Sequence, residues 1–201
     1  AFVSNTYRLF DDLPQGAKVG TSSLRRKCQI LKQRPDLQII DLRGNVGTRL
    51  AKLDAGNYDA IILASAGLKR LGLAERIRHA IAPELSLPAV GQGALGLECR
   101  DADQAVLDLI FPLMHAETDV CVRAERAFNA YLEGGCQVPI AGYATLQNGK
   151  IHLEGRVGSV DGATLLKAES MGAAAEAEQL GVALAKDLVA QGAGELLKAL
   201  Y

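Results

Sequence analysis

The sequence predicts an α/β unit over residues 1–87 and a smaller α+β module over residues 116–201. In the first unit, short apolar segments alternate three times with helical patterns, which is typical of a parallel sheet. In the second module, an amphipathic helical pattern precedes three strand-like segments separated by turn dipeptides, which is typical of an antiparallel sheet covered by helices. Residues 88–115 form a connector with a strand and a helix of its own.

Three apolar runs in the first unit are suited to buried parallel strands: residues 17–20, 37–42 and 60–64. A helix follows each run. Ser23 is placed to cap the first helix and Asn45 the second, because both side chains accept hydrogen bonds from free N–H groups at a helix start. The third helix is predicted to run from about residue 66 to 78, with Gly72 as its weak point.

Each predicted strand leads through a turn of small residues into a helix that carries arginine: residues 19–26, 42–49 and 63–70. In a parallel sheet such turns share the carboxyl edge, where ligands bind. Helix starts offer free N–H groups, and guanidinium groups pair with carboxylates or phosphates. Three such turns in series predict a ligand with several negative charges.

Charge is divided unevenly along the chain. Residues 1–80 hold 14 basic and seven acidic side chains, whereas residues 81–201 hold eight and 16. This division indicates an anion-binding half joined to a different module, with a merely solvated basic face as the alternative. The basic half has few aromatic residues, which disfavours binding to nucleic acid.

In the connector, residues 94–99 are predicted to form a strand, and Asp101 or Asp103 to cap the helix after it. The second module should begin with a helix over residues 117–132 that Thr118 caps. Three strands should follow, at residues 140–146, 151–157 and 164–170. Asn148-Gly149 and Asp161-Gly162 are the hairpin turn signals between them, and a last long helix should end near Gly192.

The four cysteines form no CxxC pair and the three histidines are scattered, so no metal site is predicted. No apolar run approaches the length of a membrane span, and no signal-peptide pattern opens the chain. Thiols without such a signal favour a reducing, cytoplasmic location.

Cys136 lies between Gly134-Gly135 and Pro139, on a tight loop between a predicted helix and a strand. Small neighbours allow a bulky group to approach the sulfur. The thiol follows a helix C-terminus and lacks a histidine partner in a recognisable motif, so it is not predicted to be an activated nucleophile. The alternatives are an attachment point for a reactive electrophile and an inert thiol.

Taken together, these segments resemble the hydroxymethylbilane synthase (porphobilinogen deaminase) family. The resemblance is carried, in order along the chain, by GTSSLRR (20–26), LRGNVGTRL (42–50), AIILASAGLKRL (60–71), LPAVGQG (87–93) and LEGGCQVPI (132–140). It implies a transferase of porphyrin and heme biosynthesis. Such an enzyme joins four porphobilinogens with loss of ammonia onto a dipyrromethane primer and releases the linear tetrapyrrole hydroxymethylbilane.

The resemblance implies that Cys136 holds the dipyrromethane cofactor through a thioether bond in the full-length enzyme, whereas the cofactor is expected to be absent from this chain. Two sets of residues are expected to bind the carboxylates of the pyrrole rings. The cofactor set is Ser23, Arg25, Arg26, Arg49 and Gly67, and the substrate set is Thr21, Ser22, Arg43, Arg49, Arg70 and Gln92. Gln92 is expected either to contact the ligand or only to shape its turn.

The sequence begins at a point that matches the start of the family's second domain. The resemblance therefore implies that most of the first domain, with the catalytic aspartate, is absent, so no catalytic residue is assigned. We expect this chain alone to be inactive. The enzyme of the family is expected to be monomeric, whereas Leu95 and Leu97 should be exposed here and promote self-association.

A non-enzymatic anion receptor is the alternative function, because the α/β unit also resembles periplasmic binding proteins in architecture. The absence of a secretory signal and the GGCQVPI loop favour the transferase.

Overall fold

The computed structural model describes residues 1–200. The first unit contains β1 (Phe2–Val3), β2 (Lys18–Gly20), α1 (Leu24–Gln33), β3 (Gln38–Ile40), α2 (Val46–Asp54), β4 (Ala60–Ile62) and α3 (Ser65–Arg70). The connector contains α4 (Gln104–Ile110), and the second module contains α5 (Ala116–Tyr131), β5 (Ile140–Gln147), β6 (Lys150–Gly158), β7 (Leu165–Ala173), α6 (Ala177–Ala190) and α7 (Ala193–Lys198).

The first sheet has the strand order β1-β4-β2-β3. Strand β2 pairs in parallel with both β3 and β4, which confirms the predicted parallel arrangement. Strand β1 runs antiparallel to β4 and was not predicted, because two residues carry no periodicity. Apolar side chains are buried on both faces of the sheet, with Val19 and Ile62 in one cluster and Ile61 and Leu63 in another.

Local signals at the helix starts are confirmed. The Ser23 side chain accepts a hydrogen bond from the Arg26 N–H, and the Asn45 side chain accepts one from the Thr48 N–H. The third helix is shorter than predicted. It ends at Arg70 because Gly72 takes a positive φ of 71°, and only a 3-10 turn over Ala74–Arg76 follows.

In the connector, the prediction of a strand over residues 94–99 is wrong: this segment forms no ladder within residues 1–200. A strand exists only where a neighbour pairs its N–H and C=O groups, and no described strand lies beside this segment. Leu95 and Leu97 are 81% and 60% exposed, which confirms their predicted exposure. Asp103 caps α4, as one of the two predicted alternatives.

The second module has an antiparallel sheet in the order β5-β6-β7, as predicted. Asn148 and Gly149 both take positive φ and form the two-residue turn that joins β5 to β6. Helices α5 and α6 cover the sheet, and Phe128 and Leu184 are buried against Leu153 in the core. Helix α7 was not predicted.

The predicted cap of the long helix α5 is wrong. The capping residue is His115, whose side chain accepts a hydrogen bond from the Thr118 N–H. Thr118 is therefore the donor to the cap and not the cap itself. A histidine ring nitrogen takes the place of the hydroxyl oxygen expected from the usual preferences for this position.

The first unit contacts the second module through α1. A Cβ on Gly158 of β6 would lie 2.9 Å from the Cys28 sulfur, and one on Gly162 would lie 2.9 Å from backbone atoms of α1. Gly162 also has a φ of +74°, so both the close approach of α1 and the backbone conformation require glycine at this position. Within residues 1–200, no helix combines the length and the apolar composition needed to cross a membrane.

We expect Gly181→Ala to destabilise the second module. Helices α5 and α6 approach so closely at Gly181 that a Cβ would lie 2.2 Å from the Ala124 carbonyl oxygen. Overpacking of this kind lowers the free energy of unfolding by roughly 1–3 kcal/mol. Urea denaturation followed by circular dichroism measures the change.

The matched control is Gly194→Ala in α7, where no atom lies within 4 Å of the added Cβ. It should leave the free energy of unfolding unchanged or raise it by up to about 1 kcal/mol. Equal destabilisation by both variants would contradict close helix packing as the cause.

Candidate functional site

The three turns that follow β2, β3 and β4 lie at the same edge of the parallel sheet. Gly20 is aligned with Ile40 on one side and Ile61 on the other, so the chain leaves the sheet at one level in all three places. The first turn is joined to the second, because the Thr21 N–H donates to the Ile40 carbonyl at 3.0 Å and the Ser22 hydroxyl to the Leu42 carbonyl at 2.5 Å.

The small polar residues of the first turn have structural partners. Thr21 is buried, and its hydroxyl oxygen accepts from the Ser23 N–H at 3.2 Å. The Ser23 hydroxyl in turn caps α1. These bonds hold the turn in the shape that starts α1, and they place Arg25 and Arg26 one and two residues inside the helix.

Arg25 and Arg26 share a cleft of about 250 Å³. Its other walls come from the first residue, from the β4–α3 turn, from the segment over residues 80–86, from the connector and from Tyr143 of β5. We call it the arginine cleft and define it by its lining residues: Ala1, Arg25, Arg26, Ile62, Leu63, Ala64, Ser65, Ala66, Ala80, Ile81, Pro83, Ser86, Pro88, Gln92, Gly93 and Tyr143. The first unit, the connector and the second module therefore all contribute to one site.

Hydrogen bonds fix both guanidinium groups. Arg25 donates through Nη1 to the Leu87 carbonyl and through Nη2 to the Gln92 Oε1 at 3.4 Å. Arg26 donates through Nη1 to the Ile62 carbonyl at 2.9 Å. A guanidinium has five N–H donors, so each group keeps donors for a ligand.

The positive charge in this cleft is not neutralised by protein carboxylates. Within residues 1–200, neither Arg25 nor Arg26 forms a salt bridge. Burial, reinforced by the charge of Arg26, lowers the pKa of Arg25 to about 10. Burial and the charge of Arg49 lower the pKa of Arg26. Because charged arginine is disfavoured here, an anion that entered the cleft would relieve the repulsion.

The other predicted basic residues do not line this cleft. Arg49 is close enough to affect the charge of Arg26, although its own Nε donates to the Gly44 carbonyl at 2.7 Å. Arg43 is exposed and forms an ion pair with Asp41 at 3.6 Å. Arg70 is exposed at the end of α3.

Gly67 does not line the arginine cleft, and its N–H donates to the Ala64 carbonyl at 3.1 Å inside the first turn of α3. Gln92 does line the cleft. Its Oε1 accepts from the Ala89 N–H at 3.3 Å as well as from Arg25. Gln92 therefore shapes its own turn, as one of the two expectations had it, and it also lines the cleft, while its contact with a ligand stays a prediction.

Cys136 is exposed on the loop between α5 and β5. The loop begins with tight turns, because Glu133 has a φ of 53° and Asn129 bonds Gly134 through both backbone and side chain. Cys136 does not line the arginine cleft. The structure thus leaves the thiol accessible and outside the set of residues that line the cleft.

A second, larger groove of about 1270 Å³ lies between the connector and the second module. Its walls are mostly apolar and include Leu95, Leu97 and Phe111 from the connector and Cys121 from α5. None of the arginines of the first unit reaches it.

Glu125 was not predicted as a site residue, yet it connects the second module to the connector. Its buried carboxylate accepts from the Gly91 N–H at 2.6 Å and from the Ala144 N–H at 2.8 Å. Burial raises the pKa of Glu125, although the two hydrogen bonds act in the opposite direction. No local pattern in the sequence distinguishes this glutamate, or Tyr143, from surface residues, because their partners lie far away in the chain.

Comparison with family models gives two matches. The model described as porphobilinogen deaminase, dipyromethane cofactor binding domain, matches residues 1–108. The model described as porphobilinogen deaminase, C-terminal domain, matches residues 120–190. The arginines of the cleft fall in the first match, and Tyr143 and Cys136 fall in the second.

We expect Cys136 to react with iodoacetamide far faster than Cys28. Cys136 is exposed, whereas Cys28 is buried and burial raises its pKa to about 11. At pH 8 only about one Cys28 thiol in a thousand is then ionised, and the thiolate is the reactive form. Peptide mass spectrometry after timed labelling measures both rates, and faster labelling of Cys28 in the folded chain would contradict the structure.

Proposed function

The chain belongs to the porphobilinogen deaminase family, and on that premise we propose that its arginine cleft binds the carboxylates of porphobilinogen units during hydroxymethylbilane synthesis. Members of this family are transferases of porphyrin and heme biosynthesis. The first unit would then be the periplasmic-binding-protein-like domain of such an enzyme, and the second module the one that anchors the cofactor.

One observation carries the proposal: the buried Arg25 and the half-buried Arg26 share one cleft, and neither forms a salt bridge with a carboxylate within residues 1–200. The pyrrole ring of each porphobilinogen unit carries an acetate and a propionate. Guanidinium groups bind carboxylates through paired N–H donors, which a lysine ammonium does not offer in the same geometry. Arg49 extends the positive charge beyond Arg26, as an oligomer with several carboxylates requires.

The residues also fit a covalent cofactor. We place dipyrromethane on the Cys136 sulfur, because the thiol is exposed and Gly135 beside it has open space around its Cα. When bound there, dipyrromethane supplies the primer to which four porphobilinogens are joined with loss of ammonia before hydrolysis releases the tetrapyrrole. The residues of the cleft would bind the carboxylates and keep the rings in place.

No carboxylate of the described residues is assigned to proton transfer. Asp41 pairs with Arg43, and Asp59 accepts from the Lys18 N–H at 2.7 Å, so both have local roles. Glu125 is occupied by two backbone N–H groups. We therefore propose that the present residues bind and position the rings, and that this chain by itself does not turn over porphobilinogen.

We expect Arg26→Gln to weaken the binding of porphobilinogen by about tenfold or more, because it removes a charged donor worth roughly 1.5–3 kcal/mol. Isothermal titration calorimetry with porphobilinogen measures the affinity. Arg100→Gln is the control, since Arg100 is exposed in the connector and does not line the cleft. Equal affinity of wild type and Arg26→Gln, or equal binding of the dimethyl ester of porphobilinogen, would contradict the proposal.

We also expect the chain to self-associate through the exposed segment at Leu95 and Leu97. Unpaired apolar backbone of this kind attracts a second chain. Leu95→Asp combined with Leu97→Asp should shift the sedimentation profile at high concentration toward the monomer. A wild-type chain that stays monomeric under those conditions would contradict the expectation.

A further inference from the structure

A buried arginine of the second module lies at its contact with the first unit. Arg156 of β6 is only 3% exposed. Its Nε donates to the Glu154 Oε1 at 2.6 Å, and its Nη1 donates to the Gln29 Oε1 at 3.0 Å. A buried charge is costly unless it is paired and hydrogen-bonded, and here both conditions are met by groups from two different parts of the chain.

Gln29 of α1 joins three segments through one side-chain amide. Its Oε1 accepts from the Leu87 N–H at 2.9 Å and from Arg156. Its Nε2 donates to the Arg25 carbonyl at 3.0 Å and to the Leu87 carbonyl at 3.3 Å. If the amide rotated by half a turn, its NH₂ group would face the N–H donors of Leu87 and Arg156. Arg156, which can only donate, therefore helps to fix the amide in its present orientation.

The Leu87 carbonyl also accepts a hydrogen bond from an arginine of the cleft. The Leu87 carbonyl accepts from Arg25 Nη1 as well as from Gln29 Nε2, so it uses both of its lone pairs. Arg25 and Gln29 lie four residues apart on α1 and thus on one face of the helix. A continuous set of hydrogen bonds runs from Arg156 through Gln29 and Leu87 to the guanidinium of Arg25.

We infer that Arg156 is a positioning residue for the arginine cleft, acting through Gln29 and Leu87 on the guanidinium of Arg25. The inference rests on the proposed function, because it concerns how the same cleft is kept ready for a carboxylate. Loss of Arg156 removes a donor that holds the Gln29 amide. The amide is then freer to release the Leu87 carbonyl, and Arg25 loses the fixed acceptor that sets its position.

The first test is the affinity of Arg156→Leu for porphobilinogen, measured by calorimetry, together with its thermal unfolding. We expect about tenfold weaker binding, the size of one lost hydrogen bond to a charged group. Arg156→Lys, which keeps the charge, should recover part of the affinity. Arg123→Leu is the control, because it breaks ion pairs with Asp119 and Glu178 in the same module and Arg123 does not line the cleft.

Gln29→Glu supplies a second variant in case Arg156→Leu does not fold. It keeps the acceptor for Leu87 and Arg156 in nearly the same shape and removes the donor to the Leu87 carbonyl. We expect it to weaken porphobilinogen binding as well. Unchanged affinity of Gln29→Glu would overturn the inference.

A double-mutant cycle with Arg25→Gln shows whether Arg156 acts through Arg25. In the Arg25→Gln background, Arg156→Leu should change the affinity by less than about twofold, because coupled residues are not additive. Equal losses in both backgrounds would overturn the inference. So would an Arg156→Leu variant that unfolds at a lower temperature and binds porphobilinogen as tightly as wild type. If wild type itself does not bind porphobilinogen, the proposed function fails first and the inference with it.

Discussion

The parallel pairing of β2 with β3 on one side and β4 on the other is the constraint on which the candidate site depends. Parallel strands that end at one level bring the turns after them together, although these turns are about 20 residues apart in sequence. The close approach at Gly20 is part of this arrangement, since a Cβ there would lie 2.9 Å from both Ile61 and Tyr58. The sheet thus fixes where α1 begins, and α1 carries both arginines of the cleft.

Collecting positive charge at this edge has an energetic cost that the protein itself does not remove. The lowered pKa of Arg25 and Arg26 expresses that cost, because burial and repulsion from a neighbouring arginine (Arg26 for Arg25, Arg49 for Arg26) both disfavour the charged forms. Backbone carbonyls at Leu87 and Ile62 orient the guanidinium groups without neutralising them. We propose that this site receives an anionic ligand, in keeping with the match of residues 1–108 to a domain described as binding a dipyromethane cofactor.

Helix α1 serves the cleft and the contact with the second module at the same time. One face carries Arg25 and Gln29 toward the connector, and Cys28 and Leu31 meet the glycines of the second module. The start of the connector is held from both sides, because Gln29 binds Leu87, the residue directly before it, and Glu125 binds Gly91 within it. The geometry of the cleft therefore depends on contacts that lie outside it, and its walls come from all three parts of the chain.

The sequence by itself determined those features whose causes are local. Ser23 and Asn45 cap helices through neighbouring N–H groups, Asn148-Gly149 adopts the positive φ of a tight hairpin, and Gly72 interrupts the third helix. The sequence also located the three basic turns, because each one follows an apolar run and contains small residues.

Only the tertiary structure decided which basic residues share the cleft, and why residues 94–99 form no strand. Arg25, Arg26, Arg43 and Arg70 look alike as turn-following arginines, yet only the first two line the cleft. The roles of Glu125 and Arg156 were equally hidden, since each depends on a partner more than 15 residues away, Ala144 for Glu125 and Gln29 for Arg156. Strand pairing, burial and the pairing of charges arise when distant segments come together, so a local sequence pattern does not predict them.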